Sequence, residues 1–296
     1  MVVTPPILQR RAAAGHSGDG SNLGAQDDHR VDVERTADFE ETLARLAETD
    51  HQYRYSVAWV DCRASGRRLG RGVLMGADHT LLDELDPAAR AVALSAPRRR
   101  RLGVPEWASA GPLLRGHAGD VFNDLTFHRA RRRRGMHQSL DAFFFPLDRL
   151  ASWNRLYGRA GFVQYQLVVP GKADRELIEI LRLVSEVKPG PTLAVLKRLG
   201  SGAGLLSFPI PGWTLAVDMP LPSPRLATTL DRVDELVASV GGRVYLAKDV
   251  RLRADLLPVM YPEIGRWREV QRRLVPAGRM RGDLERRLDL CGRRQG

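Results

Sequence analysis

Between residues 162 and 246 the hydrophobic period switches repeatedly between two and about 3.6, and few folds accommodate the order in which it does so. Residues 162–169 (FVQYQLVV) read as a strand that stops at Pro170-Gly171. Residues 173–187 place Leu177, Ile180, Leu181 and Val184 at helical spacing. Two further strands follow at 192–196 and 213–219 (WTLAVDM), then a second helix over 223–240 with Leu226, Leu230, Val233 and Val237 on one face. Gly241-Gly242 ends that helix, and 243–246 begins a fourth strand. The order β-α-β-β-α-β is the split βαβ, or ferredoxin-like, arrangement. It predicts an α+β fold: an antiparallel sheet with both helices on one face and the other face free to cover a ligand.

The flanking segments are less regular. Residues 1–35 are rich in Gly, Ser, Ala and Asp without periodicity, and are expected to be disordered. Residues 38–47 (DFEETLARLA) set Phe39, Leu43 and Leu46 on one helical face behind an Asp38 N-cap. Residues 53–60 (YRYSVAWV) alternate as a strand does, whereas 63–137 read as a loop-rich insertion. After Lys248 the pattern is helical, broken at Tyr261-Pro262, with an amphipathic end at 280–290. Three parts result: a disordered segment 1–35, a domain over 36–242, and a C-terminal segment 243–290.

A net charge of +11 admits nucleic acid, anionic lipid or an acidic substrate as partner. The two tetra-arginine runs, 98–101 and 131–134, fall in loop-like sequence without aromatic interleaving or an amphipathic helix, which argues against nucleic acid. Solvated loop charge comes first and phosphate head groups second. No apolar run is long enough for a membrane span or a secretory leader. Two distant cysteines, Cys62 and Cys291, point to a reducing cytoplasm.

Only four of the 46 basic residues are lysines: Lys172, Lys188, Lys197 and Lys248. Arginine codons are GC-rich, so a lysine retained under that bias marks a position where a compact ammonium is required. The seven histidines show no ligand spacing and read as surface residues. Gln164 and Gln166 share one face of their strand, where two amides either bind a ligand or satisfy a covering loop. Lys197, after the apolar run LAVL, is either a strand-end lysine in water or a buried donor. Tyr245 and Lys248 lie near a sheet edge, where Lys248 either holds an electron-rich ring edge or pairs with Asp249.

The strings YRYSVAW (53–59), FPLDRLASWNRLYGRAGFVQYQLVVP (145–170), LSFPIPGWTLAVDMP (206–220), GGRVYLAKDVR (241–251) and MYPEIGRW (260–267) occur in an order that resembles one known family. They are similar to the C-terminal half of the polyprenylphosphoryl-ribose oxidases, a branch of the vanillyl-alcohol-oxidase-type FAD proteins that also include aldonolactone oxidases. The resemblance covers about residues 38–290 and implies that 36–242 is a substrate domain whose sheet covers a flavin. It implies oxidation of a sugar CH–OH, the C2 of a polyprenylphosphoryl ribose, by hydride transfer to FAD. Gln164 and Gln166 would contact the lipid-linked sugar or the flavin edge, Lys197 would help hold the sugar-phosphate region, Asn154 matches a substrate-binding asparagine, and Phe144 and Leu147 would line the mouth of the pocket. The segment Tyr245, Ala247, Lys248 would reach the flavin, with Lys248 stabilising the charge that develops there. The family further implies peripheral contact with the inner membrane and a short-chain reductase acting in the same pathway. Its FAD domain and glycine-rich pyrophosphate loop are not recognisable here, because Gly15 to Gly24 lacks a strand before it and a helix after it. A separate FAD-domain polypeptide is therefore an expected partner. Departures are Ala216 in place of the cysteine of mycobacterial members and Phe144 in place of a tyrosine.

Overall fold

Asp38 begins the ordered pattern as expected: its carboxylate accepts the Glu41 N–H at 2.8 Å and caps helix α1 (Phe39–Thr49). The computed structural model describes residues 28–80, 87, 102–103, 117–144, 150–275 and 282–292. In chain order these form β1 (Asp28–Thr36), α1, β2 (Tyr55–Val60), β3 (Gly72–His79), α2 (His117–Arg129), β4 (Arg133–Ser139) and α3 (Leu140–Phe144). The split unit follows as β5 (Phe162–Pro170), α4 (Asp174–Ser185), β6 (Leu193–Leu199), β7 (Gly212–Pro220), α5 (Leu226–Ser239) and β8 (Arg243–Val244). Helices α6 (Leu257–Met260), α7 (Ile264–Leu274) and α8 (Asp283–Leu288) complete the described chain.

These eight strands form one antiparallel sheet in the order β8-β5-β7-β6-β2-β3-β1-β4, and residues 102–103 and 150–151 pair separately as a short parallel ladder. The α+β class and the β-α-β-β-α-β order stand, and the sheet is wider than the split unit alone. Four elements depart from expectation. Residues 28–35, read as part of a disordered segment, belong to β1, while residues 1–27 lie outside the described residues. Within the loop-rich insertion, β3, α2 and the start of β4 are regular, and Arg133 and Arg134 of the second arginine run open an edge strand rather than a loop. The first run, 98–101, lies outside the described residues.

Strand alternation divides the sheet into two environments. Tyr165, Leu167 and Val169 of β5, with Leu215 and Val217 of β7 and Leu196 of β6, are buried in the main core with Leu177, Ile180 and Leu181 of α4 and Leu230, Val233 and Val237 of α5. Trp213 of β7 donates its indole N–H to Asp174 at 2.6 Å, pinning the first turn of α4 to the sheet. Gly70 bends the chain at φ +75°, and a β-carbon there would meet Phe39 at 2.3 Å, so only glycine lets α1 close on this turn.

A buried polar node ties the C-terminal segment to this core. Tyr165 Oη donates to Asp234 Oδ1 at 2.6 Å, and Arg251 donates to Asp234 Oδ2 at 2.6 Å and also pairs with Asp231. Asp249 accepts the backbone N–H groups of Arg251 and Leu252 and pairs with Arg287 of α8 at 2.6 Å. Burial pushes the Asp234 carboxyl upward, so each donor offsets a desolvation cost. Replacing Tyr165 with Phe leaves that carboxylate one donor short. The variant is expected to lose about 1–3 kcal/mol of unfolding free energy in urea titrations, with an unchanged denaturant slope.

Candidate functional site

The helix-free face is set by the register of three strands. Gln164 lies opposite Asp218, which lies opposite Leu193; Gln166 pairs with Ala216 and Val195; Val168 pairs with Thr214 and Lys197. All of these positions share one face. Gln164, Gln166, Asp218, Thr214 and Lys197 are therefore brought together across β5, β7 and β6. The last residues of the unit meet the same neighbourhood. The Tyr245 N–H continues the β5–β8 ladder onto the Gln166 carbonyl at 2.8 Å, and the Lys248 N–H closes a turn onto the Tyr245 carbonyl at 3.0 Å. The Tyr245 ring packs on Phe208 at 4.7 Å between centroids.

Hydrogen bonding orients both amides. Gln164 Nε2 donates to Asp218 Oδ1 at 2.7 Å, and an ionised carboxylate only accepts. Tyr157 Oη donates to Asp218 Oδ2 at 3.2 Å and accepts from Thr192 at 2.8 Å. Thr214 Oγ1 gives its hydrogen to the Leu167 carbonyl at 2.8 Å, so toward Gln166 Nε2 at 3.1 Å it accepts. Both amide nitrogens are thus committed to β7, and each amide keeps its carbonyl oxygen as an acceptor. Among the described residues neither amide nitrogen is bonded to a covering loop.

The charges of this face are partly desolvated. Burial first, and the Lys248 charge second, together lower the Lys197 ammonium to about 8; Lys197 is half-buried within β6, not a strand-end lysine in water. Lys248 is also lowered by burial, with Asp218 opposing the shift. Burial raises the Asp218 carboxyl to about 6, while Gln164, Tyr157 and Lys248 hold it down. Asp249 takes Arg287 as its partner, which leaves Lys248 facing Asp218 electrostatically.

Along β2, β3 and β1 the same face turns apolar. Val31, Ala77 and Phe143 form a small core with Val33, Tyr55, Val57, Met75 and Phe144 packed against it. Phe144 stands 4.9 Å from the Tyr55 ring and 5.8 Å from His29. His29 is buried within this aromatic group, contrary to the surface role expected of the histidines. Of the remaining expected residues, Ala247 is exposed in the turn before Lys248, and Asn154 lies in the short 3-10 turn Trp153–Tyr157. Leu147 lies outside the described residues. Asp218, Thr214 and Tyr157 were not singled out from the sequence. The signal for Asp218 is a carboxylate between two apolar residues of a strand, and its meaning depends on knowing that β7 lies opposite Gln164.

An antiparallel sheet with helices on one face, and amides, ammonium groups and an apolar extension on the other, defines an α+β domain. No protein-family model matches the chain. The chain is 34% identical over 262 residues to decaprenylphosphoryl-β-D-ribose oxidase of Mycolicibacterium smegmatis, a match covering 88% of this chain and 56% of that protein. It is 36% identical over 267 residues to the "uncharacterized protein in mprA 5′ region" of Streptomyces coelicolor, covering 86% of this chain and 71% of that one. The chain belongs to the family of decaprenylphosphoryl-β-D-ribose oxidase and its relatives, a family of oxidoreductases. It spans little more than half the length of the Mycolicibacterium enzyme. Among solved structures, xylooligosaccharide oxidase from Myceliophthora thermophila C1 in complex with xylobiose superposes with a TM-score of 0.48 at 13% identity, covering 85% of this chain and 53% of that one. A VAO-type flavoprotein of the same organism gives 0.45 at 13% identity, covering 85% and 45%.

The Lys197 shift has a definite sign in stability. Its folded value of about 8 lies below the unfolded 10.5, so the cost of burying its charge is fully present below pH 8 and relieved as pH rises from 8 to 10.5. Lys197→Met is therefore expected to be more stable than the parent at pH 7. Chemical denaturation at stepped pH should show that advantage shrinking between pH 8 and 10.5.

Proposed function

We propose that this chain forms the substrate-covering half of an FAD-dependent oxidation of a CH–OH group in a polyprenyl-phosphate-linked sugar. The observation that carries this reading is the continuity of the helix-free face. Two oriented amides and two half-buried lysines lie at one end, and an aromatic and aliphatic surface lies at the other. The amide carbonyls of Gln164 and Gln166 suit sugar hydroxyls, which donate. The Lys197 ammonium suits the phosphate, because partial desolvation strengthens a charge-assisted bond. Phe144, Tyr55 and Val57 suit the first isoprenoid units. Asn154 and Leu147 belong to the same substrate contacts by family resemblance.

The donor set at Tyr245, Ala247 and Lys248 fits one edge of a flavin. A half-buried ammonium beside a tyrosine, opposed by a single carboxylate, is a donor for an electron-rich ring edge. When bound, FAD supplies the hydride acceptor. The chain's own contribution is to hold the sugar carbon in place, exclude water with the sheet, and set the local charge through Lys248. A polyprenyl-linked substrate brings the protein to a membrane surface peripherally; among the described residues no helix is long and apolar enough to cross a membrane. The oxidised sugar would be a substrate for a short-chain reductase.

Calorimetric titration with a short-chain polyprenylphosphoryl ribose tests the pocket, with polyprenyl phosphate as control. The sugar-bearing ligand is expected to bind more tightly, and Lys197→Ala to weaken it by about ten-fold or more. In a preparation loaded with FAD, Lys248→Ala should slow bleaching of the flavin absorbance by about a hundred-fold. Equal affinity for the two ligands would sink the substrate assignment, and sugar binding without bleaching would leave a binding module in place of an enzyme.

A further inference from the structure

Helix α2 meets the protein through its polar side. Asn123 is buried and donates to Asp61 at 2.8 Å. Asp120 pairs with Arg63 at 2.7 Å, Asp124 pairs with the buried Arg71, and the Arg71 guanidinium stands 4.4 Å from the Phe127 ring centroid. The opposite face carries Val121, Phe122 and Leu125, which are 64%, 43% and 47% exposed. A surface helix ordinarily does the reverse, turning its apolar stripe inward. Here three polar anchors and one cation–π contact on one face hold three neighbouring apolar side chains in water.

The chain that follows is a run of cations. Arg129 ends α2 on the apolar side, Arg131 and Arg132 follow, and Arg133 and Arg134 open the edge strand β4. All five are exposed, and no ion pair among the described residues engages them. We propose that this apolar face and its arginine run form a docking surface for an anionic lipid leaflet. Val121, Phe122 and Leu125 enter the acyl boundary, and the guanidinium groups hold lipid phosphates at the level of the head groups. Aliphatic and phenyl groups suit hydrocarbon, and the planar guanidinium fork suits a phosphate. Nucleic acid would satisfy the arginines and leave the apolar triad in water. A second copy of the chain would cover the triad and bring two arginine runs together.

Co-sedimentation of the full chain tests this, with vesicles of phosphatidylcholine containing phosphatidylglycerol compared with pure phosphatidylcholine. Binding to the anionic vesicles is expected, weakening as salt is raised. Phe122→Asp with Leu125→Asp should lower the bound fraction at least ten-fold, and Arg131→Gln with Arg132→Gln on the order of ten-fold. These side chains are exposed, so unfolding midpoints should be unchanged; Val121→Ser serves as a milder variant if they are not. Equal binding to neutral vesicles, or binding indifferent to both double substitutions, overturns the proposal. A dimer dissociated by Phe122→Asp, or capture of duplex DNA in preference to vesicles, overturns it as well. The vesicles carry no sugar lipid, so the outcome is independent of the substrate reading.

Discussion

The two amides of the helix-free face and the β7 groups they bond take their positions from the nine-residue antiparallel ladder between β5 and β7. That ladder sends Tyr165, Leu167 and Val169 into the helices and Gln164 and Gln166 away from them. A slip of one residue would exchange the two sets, burying amides under α4 and α5 and exposing the core. Register is held from both sides: the hydrophobic face excludes the slip, and the Trp213–Asp174 and Tyr165–Asp234 bonds exist only in the observed pairing. Packing on one face of the sheet and chemistry on the other are thus consequences of one alignment.

Each part was legible in the sequence to the extent that its signal is local. Helix α1 announces itself through Asp38 and the spacing of Phe39, Leu43 and Leu46, and α4 and α5 through their apolar periods. Strand β1 does not, because DHRVDVERT offers two valines among charges and gains its regularity only from β3 and β4 on either side. Strand β4 opens on Arg133 and Arg134, the last two of four consecutive arginines, a composition that suits an edge strand with one side in solvent. His29 reads as a surface histidine until β1 is placed beside β3, which sets its ring against Tyr55, His79 and Phe143.

The site divides in the same way. Gln164 and Gln166 are anomalous within their own strand, and Lys197 and Lys248 stand out because lysine is rare in this chain. Their partners are not anomalous. Asp218 and Thr214 are ordinary residues of a β-strand until pairing sets them against the two glutamines. What the sequence lacked was the polarity of the amides, which follows from Asp218 being only an acceptor and from Thr214 giving its hydrogen to Leu167. Under the proposed function, that polarity would suit the amides to hydroxyl groups and leave phosphate to the lysines.

The loosened proton on Lys197 has a further consequence. With a pKa of about 8, this ammonium is partly neutral in mildly alkaline solution, whereas an anion seated against it would draw the proton back. Ligand capture and proton uptake then become a single equilibrium, and the heat of association would carry the ionisation enthalpy of whichever buffer gives up the proton. A strand that holds an amine half out of water would thereby couple occupancy of the face by an anion to the acidity of the surrounding solution.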